Sequence, residues 1–182
     1  MSGDEQDEYD ERPETDEDED NNEDSTRSDG KSNNWEQEAL EAHNEFRAHH
    51  GVPPMVLDQR ISRKAQAYAD YLAANNLLEH STNRDGLGEN LYTQSSTQSL
   101  RNEHLGEIAT KSWYDEIEDY DFDNPGYSSG TGHFTQVIWK QSTKLGVGVG
   151  FSNNGRQVVV VCQYGPEGNM EGEFEENVPP PE

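Results

Sequence analysis

The chain has 182 residues and a formal net charge of −25 at pH 7, from 38 Asp and Glu against 13 Lys and Arg. Of this charge, −12 lies on residues 1–34 and −13 on residues 35–182. Nucleic acids and anionic membrane surfaces are bound by clustered basic side chains, which this sequence lacks. The composition therefore argues against nucleic-acid binding and against simple electrostatic attachment to a membrane.

Residues 1–34 differ sharply in composition from the rest of the chain. They carry 15 Asp and Glu against three basic residues, and Tyr9 is their only aromatic side chain. Such a segment buries too little apolar surface to offset the loss of chain entropy. We predict a disordered acidic tail over 1–34, one folded domain over 35–178 and a short C-terminal tail over 179–182.

Two features of the chain bear on its compartment. No apolar run is long enough to span a bilayer, and the acidic N-terminus is unlike a secretory signal. Cys162 is the only cysteine, so an intramolecular disulfide is impossible. These features predict an intracellular protein in a reducing compartment. The alternative is an extracellular protein that leaves the cell without a signal peptide.

Hydrophobic spacing predicts four helices, over residues 35–50, 59–76, 100–118 and 133–140. Gly51 ends the first helix, Asp58 caps the second, and Thr131 is a candidate cap for the last. The polar stretches 79–88 and 119–132 are predicted to be surface loops. A loop as long as the second is more often functional than idle.

Two strands are predicted near the C-terminus. Residues 144–151 alternate with glycine, residues 157–164 contain a valine run, and an Asn-Asn-Gly turn at 153–155 joins them. Strands this close in sequence pair antiparallel, and the predicted helices flank them. The predicted fold class is therefore α+β, an α/β/α sandwich with a small antiparallel sheet between helices.

Among the histidines, His133 has the most informative context. It follows a glycine and precedes an apolar run that includes Phe134 and Trp139. A histidine at a core boundary is either hydrogen-bonded to its neighbours or available as a ligand. His43 lies mid-helix and is predicted to have a packing or buried hydrogen-bonding role. Exposed helix positions are predicted for His49, His50 and His104.

Four segments in order resemble a known family: HNEFR at 43–47, GENL at 88–91, GHFTQVIW at 132–139 and YGPEGN at 164–169. The chain resembles the CAP superfamily of cysteine-rich secretory proteins, antigen 5 and plant pathogenesis-related (SCP-like) proteins. It is most similar to the Golgi-associated plant pathogenesis-related group, through HHGVPP at 49–54, SGTGH at 129–133 and FEENV at 174–178. The resemblance covers about residues 36–178.

The resemblance implies a central cleft lined by two imidazoles and two carboxylates, from His80, Glu89, Glu116 and His133. These groups are suitable ligands for Zn²⁺ or another divalent cation, which is the implied cofactor. The alternative is a hydrogen-bonded polar cluster without metal, since the sequence has no His-Glu-x-x-His motif. Glu89 is also expected to accept hydrogen bonds from backbone N–H groups of its own turn. Asn90 is expected to have only this local hydrogen-bonding role.

The leading function is non-enzymatic binding of a lipid, namely a sterol, a fatty acid or an acidic lipid, as in members of the family that the chain resembles. Loop 119–132 concentrates aromatic and apolar side chains, and the predicted ligand-binding residues are Tyr120, Phe122, Pro125 and Tyr127. The alternative is that these rings pack against the third helix.

Two further functions stay open. A metal-dependent hydrolase would activate a bound water with Glu89 or Glu116 as base. Acyl transfer has only poor candidate nucleophiles, because Cys162 lies in the valine strand and no nucleophile-elbow motif surrounds Ser81, Ser128 or Ser129. A protein-interaction scaffold would recruit a basic partner through the acidic tail and form a homodimer, as the Golgi-associated relatives imply.

The resemblance also bears on localisation. Secreted members of the family usually carry several disulfides, whereas this chain has one cysteine. Golgi-associated members carry a myristoylated glycine after the initiator Met, whereas Ser2 stands here. We therefore expect a cytosolic protein, or one peripheral on Golgi or vesicle membranes without that anchor.

Overall fold

The computed structural model describes residues 34–182, so the predicted acidic tail lies outside the described residues except for its last position. This part of the chain contains five α-helices: α1 Trp35–His49, α2 Gln59–Asn75, α3 Leu105–Tyr114, α4 Gly132–Ile138 and α5 Phe174–Asn177. Its four strands are β1 Val56–Leu57, β2 Gly88–Ser95, β3 Lys144–Ser152 and β4 Gln157–Gly165. None of the helices within 34–182 is long and apolar enough to cross a membrane.

The strands form one sheet in the order β1-β3-β4-β2. β4 pairs antiparallel with both β3 and β2, and the two-residue β1 pairs parallel with β3. Alternate strand residues face opposite sides, so one face packs against α2 and the other against α1, α3 and α4. The predicted fold class is confirmed: helices enclose a small, mainly antiparallel sheet.

Glycines in β3 set the distance between α2 and the sheet. A Cβ atom at Gly146, Gly148 or Gly150 would lie 2.3 Å from the nearest heavy atom of α2. The opposite face of β3 carries three buried apolar side chains, from Leu145, Val147 and Val149. The glycine alternation that predicts this strand therefore also lets the helix lie directly on it.

The short β1 and α5 were not predicted, and two longer elements also differ from the prediction. β2 was not expected, because its buried positions include the polar Glu89 and Asn90, which hide the strand pattern. The third helix begins at Leu105 and not at residue 100. Leu100 is buried, and its N–H donates to the carbonyl of Gly155 at 2.7 Å, which holds residues 100–104 against the β3–β4 turn. After Tyr114 the chain continues as a 3₁₀ segment, Asp115–Asp119.

The prediction that His50 is exposed is wrong, because only 2% of its surface is accessible. Its Nδ1–H donates to the carbonyl of Pro179 at 2.7 Å, and its Nε2 accepts from the hydroxyl of Tyr114 at 2.9 Å. The C-terminal residues thus cover the end of α1, a long-range contact that the sequence around position 50 does not reveal. Exposure is confirmed for the other two, His49 and His104.

Candidate functional site

Glu89, the second residue of β2, is the centre of the first histidine–carboxylate pair. Its fully buried carboxylate accepts from His80 Nδ1 at 2.9 Å, from Ser81 N at 2.9 Å and Oγ at 2.7 Å, and from Gln163 Nε2 at 2.9 Å. Burial acts to raise the pKa of Glu89, but these hydrogen bonds outweigh it and lower the pKa to about 2. Glu89 therefore stays ionised at neutral pH and fixes the proton of His80 on Nδ1.

Glu116, in the 3₁₀ segment after α3, forms the second pair. It accepts from His133 Nδ1 at 2.8 Å and from the backbone N–H groups of His133 and Phe134, each at 3.0 Å. Glu116 thus satisfies the first donors of α4 as a capping carboxylate would. Thr131 was the predicted cap of this helix, but its side chain makes no capping hydrogen bond.

The two pairs lie on either side of β2, which is an edge strand. Glu89 points to the face covered by α2, and the next residue, Asn90, points to the opposite face. Asn90 Nδ2 donates to the carbonyl of His133 at 3.1 Å and to the hydroxyl of Tyr164 at 3.2 Å. The expectation that Asn90 serves only its own turn is wrong: it connects the edge strand to the second pair.

A buried network continues from Asn90 into α1. The hydroxyl of Tyr164 donates to His43 Nε2 at 2.8 Å, and His43 Nδ1–H donates to the carbonyl of Ala39 at 2.7 Å. Burial and the nearby Arg47 charge lower the pKa of His43 to about 4, although the bond to Ala39 acts to raise it. The predicted buried hydrogen-bonding role of His43 is confirmed.

Sequence reasoning missed three polar side chains around these pairs: Asn90, Gln163 and Tyr164. Two of them stand inside segments that carry the family resemblance, GENL at 88–91 and YGPEGN at 164–169. Their polarity within strands was the available signal, because a buried polar side chain needs a partner.

The four predicted ligands are brought together as two pairs and not as a single cluster. Within residues 34–182, no group of three or more His, Cys, Asp or Glu side chains is arranged to hold a metal ion. In each pair the carboxylate engages Nδ1, which leaves Nε2 of His80 and of His133 as the open nitrogen. Both side chains reach solvent, with 54% and 35% of their surface exposed. Carboxylates that hold Nδ1–H are the usual orienting partners of metal-binding imidazoles, so the donor chemistry fits a cation.

The arrangement gives the candidate nucleophiles no imidazole base. The hydroxyl of Ser81 donates to Glu89 and not to His80. Ser128 Oγ accepts from the N–H of Gly130 in its own loop. Cys162 is fully buried, and burial raises the pKa of its thiol. Within residues 34–182, none of these three groups has an imidazole as a hydrogen-bond partner.

The four predicted lipid-binding residues differ in their burial. Tyr120 is 8% exposed and Phe122 is half-buried; their ring centroids lie 5.5 and 6.3 Å from that of Phe134. Pro125 is exposed, and 66% of Tyr127 is accessible. The loop therefore presents apolar surface to solvent above an aromatic cluster that continues into the core.

Comparison with known proteins agrees with this architecture. The model of the cysteine-rich secretory protein family, CAP, matches residues 40–164. The chain is 45% identical over 154 residues to Golgi-associated plant pathogenesis-related protein 1 of Homo sapiens, which covers 82% of this chain and 96% of that protein. It is 38% identical over 145 residues to pathogenesis-related protein 1A of Nicotiana tabacum, covering 79% and 82% of the two chains.

Solved structures share the fold. BmVAL-1 is 25% identical with a TM-score of 0.66, covering 78% of this chain and 81% of that one. NaASP2, in a crystal structure with Zn²⁺, is 30% identical with a TM-score of 0.63, covering 80% and 86%. The family match includes both histidine–carboxylate pairs and the aromatic loop. This chain therefore belongs to the CAP family of cysteine-rich secretory proteins.

Proposed function

We propose that this protein binds a lipid (a sterol, a fatty acid or an acidic lipid) without catalysing a reaction on it. The observation that carries the proposal is the loop over residues 120–127. This loop exposes Tyr127 a few residues before His133, which pairs with Glu116. The rings of Tyr120 and Phe122 in the same loop pack against the buried Phe134. The absence of an imidazole base beside the candidate nucleophiles supports a binding role over acyl transfer.

The loop offers an apolar ligand both an outer contact and an inner one. Tyr127 lies over the start of α4, where a Cβ at Gly132 would be 3.0 Å from the Tyr127 ring. Elsewhere in the same loop, the rings of Tyr120 and Phe122 meet at a centroid distance of 4.8 Å with an interplanar angle of 80°. A lipid bound at this loop would cover the ring of Tyr127 and contact the partly exposed ring of Phe122. Covering an exposed tyrosine ring contributes about 1–2 kcal/mol to binding.

Replacing Tyr127 with alanine is expected to weaken lipid binding about five- to tenfold, because the exposed ring is the ligand contact. Titration of the full chain with a fluorescent sterol and, separately, a fluorescent fatty acid measures the effect. Tyr71→Ala is the matched control, since Tyr71 is also exposed, at 51%, but lies on α2. Equal affinity of the Tyr127 and Tyr71 variants for both lipids, or no saturable binding by the native chain, would overturn the proposal.

A second candidate function is the binding of a divalent cation by His80 and His133. Both imidazoles are held by a carboxylate at Nδ1 and open at Nε2, and the related NaASP2 was solved with Zn²⁺. His80 and His133 would supply the protein nitrogens, with Glu89 and Glu116 as orienting carboxylates and water completing the shell. When bound, the cation would supply a fixed positive charge beside these imidazoles.

Removing either imidazole is expected to lower Zn²⁺ affinity tenfold or more, by about the free energy of one ligand bond. Calorimetric titration of His80→Ala and His133→Ala tests this. His104→Ala is the control, because His104 also contacts a carboxylate through Nδ1, that of Glu38 at 3.0 Å, on the exposed surface. Affinity should fall at lower pH as protons compete with the metal. Unchanged affinity in both test variants, or an equal loss in the control, would reject this site.

The remaining predictions concern partners and location. Homodimer formation and recruitment of a basic partner by the acidic tail stay proposals, and the tail lies outside the described residues. Peripheral association with Golgi or vesicle membranes is likewise a proposal, supported by the name of the human relative, a Golgi-associated protein.

A further inference from the structure

A cavity of about 420 Å³ lies beside the first turns of α2, where β3 begins and β4 ends. Its floor is apolar, formed by Ile61, Leu87 and Pro166. The side chains of Ile61 and Leu87 come within 3.4 Å of the Cβ position of Gly165, so they pack directly over the end of β4. The volume is in the range of small-molecule sites. None of the residues of the proposed lipid or metal sites lines this cavity.

Three basic side chains line the cavity, although the chain as a whole is strongly acidic. They are those of Arg60, Lys64 and Lys144. Lys64 Nζ forms an ion pair with Asp85 at 2.6 Å. In the part of the chain that the structure describes, neither Arg60 nor Lys144 has an ion-pair partner. Two cationic groups are therefore available to a ligand.

The acidic residues of the rim are already engaged. The carboxylate of Asp58 caps α2 by accepting from Ile61 N at 3.1 Å, and that of Asp85 holds Lys64. The hydrogen bond and charge of Lys64, with a smaller contribution from the charge of Arg60, lower the pKa of Asp85, so its carboxylate stays ionised at neutral pH. A ligand carboxylate would thus face the cations Arg60 and Lys144. Within residues 34–182, Asp58 is an acid of the rim that has no ion-pair partner, and one of its oxygens is used to cap α2.

We propose that this cavity binds a small amphiphilic carboxylate: a single anionic head with a short apolar chain. The head would lie between Arg60 and Lys144, because guanidinium pairs well with carboxylate, and the chain would lie on the apolar floor. The proposal does not rest on the lipid site at Tyr127, since the two sites share no residue. The Lys64–Asp85 pair would limit affinity by holding one cation away from the ligand.

Octanoate is the probe, added to the ¹⁵N-labelled full chain while amide NMR shifts are followed. We expect saturable shifts at Ile61, Lys64 and Gly165, with a Kd of about 1 mM or lower. Octanol has the apolar chain without the anionic head, and inorganic phosphate has the negative charge without the chain. Each should bind at least about fivefold more weakly than octanoate.

Variants separate charge recognition from structural damage. Arg60→Gln and Lys144→Gln should each weaken octanoate binding about fivefold. Arg63→Gln is the matched control: it makes the same charge change on α2 outside the cavity, and its Kd should stay within about twofold. Asp85→Asn should tighten binding about two- to fivefold by freeing Lys64, an effect that a damaged fold would not produce.

Four outcomes would overturn the proposal. They are equal binding of octanol and octanoate, equal effects of the Arg60 and Arg63 variants, weaker binding by the Asp85 variant, and shifts confined to residues 120–127. The last result would instead support the lipid site at Tyr127, so failure of one proposal is distinguishable from failure of the other.

Discussion

Replacing Gly148 with valine is expected to lower the free energy of unfolding by about 3 kcal/mol or more. A Cβ at this position would lie 2.3 Å from Gln66 N and 2.4 Å from Ala65 C, well inside contact distance. These are backbone atoms of α2, so no side-chain rotation can relieve the overlap. Valine adds two methyl groups beyond that Cβ. The helix must therefore move away from the sheet and give up its buried contacts.

Urea unfolding followed by circular dichroism measures this loss. Gly148→Ala should give an intermediate loss, because it adds only the overlapping Cβ. Gly126→Ala is the control: beyond its two chain neighbours no atom lies within 4 Å of its Cβ position, and the stability of this variant should change by no more than about 0.5 kcal/mol. If the valine variant is as stable as the native chain, α2 does not lie against β3 as the structure shows.

Lowering the pH is expected to destabilise the fold by about 3 kcal/mol through His43 alone. The ordinary pKa of 6.5 applies to the unfolded chain, whereas burial lowers the pKa in the fold to about 4. Between pH 6.5 and about 4, His43 is protonated in the unfolded chain but neutral in the folded chain. The contribution of neutral His43 is therefore fully present above pH 6.5 and is lost as the pH falls to about 4.

Two other titratable groups, His50 and Glu89, also make the stability depend on pH. His50, whose pKa is also lowered by burial, destabilises the fold with the same sign as His43. Glu89 acts at lower pH, because its pKa of about 2 in the fold lies below the ordinary 4.5. The stability that ionised Glu89 contributes is present above pH 4.5 and is lost as the pH falls toward 2. The free energy of unfolding should thus fall over two pH ranges, the first set by His43 and the second by Glu89.

Unfolding free energies of His43→Gln at several pH values between 7.5 and 4.5 test the assignment. The variant should be less stable at neutral pH, because its hydrogen bond with Tyr164 is changed, but its stability should depend less on pH. His104→Gln is the control: His104 is exposed, and Glu38 raises its pKa, so removing it should not flatten the profile. An NMR titration of the native chain that gives His43 a pKa near 6.5 would contradict the prediction, whether or not the variant folds.

Local sequence patterns predict a large part of the fold. The amphipathic spacing of α1 and α2, the Asp58 cap and the β3–β4 hairpin are all found close to their predicted places. Asp58 accepts from Ile61 N, and the turn at Asn153–Gly155 has three consecutive residues with positive φ. These elements depend on neighbouring residues, which is why the chain itself specifies them.

The candidate site is predictable only in part, because its contacts are long-range. The family resemblance names His80, Glu89, Glu116 and His133, but not their pairing. Which carboxylate meets which imidazole depends on β2, whose two faces separate Glu89 from Asn90. The burial of the aromatic side chains in loop 119–132 also depends on long-range contacts. Their hydrophobicity is visible in the sequence, whereas the division into buried and exposed members is set by packing against Phe134.

The sequence by itself determined the family, the helical periodicity, the hairpin and the identity of the imidazoles and carboxylates. It did so because periodicity, turn chemistry and residue type are properties of short segments. The tertiary structure alone decided that Glu89 and Asn90 belong to an edge strand, that His50 is covered by the C-terminal residues, and that three cations surround one cavity. Each of these depends on residues far apart in the chain, whose meeting is fixed by the shared core and not by any local pattern.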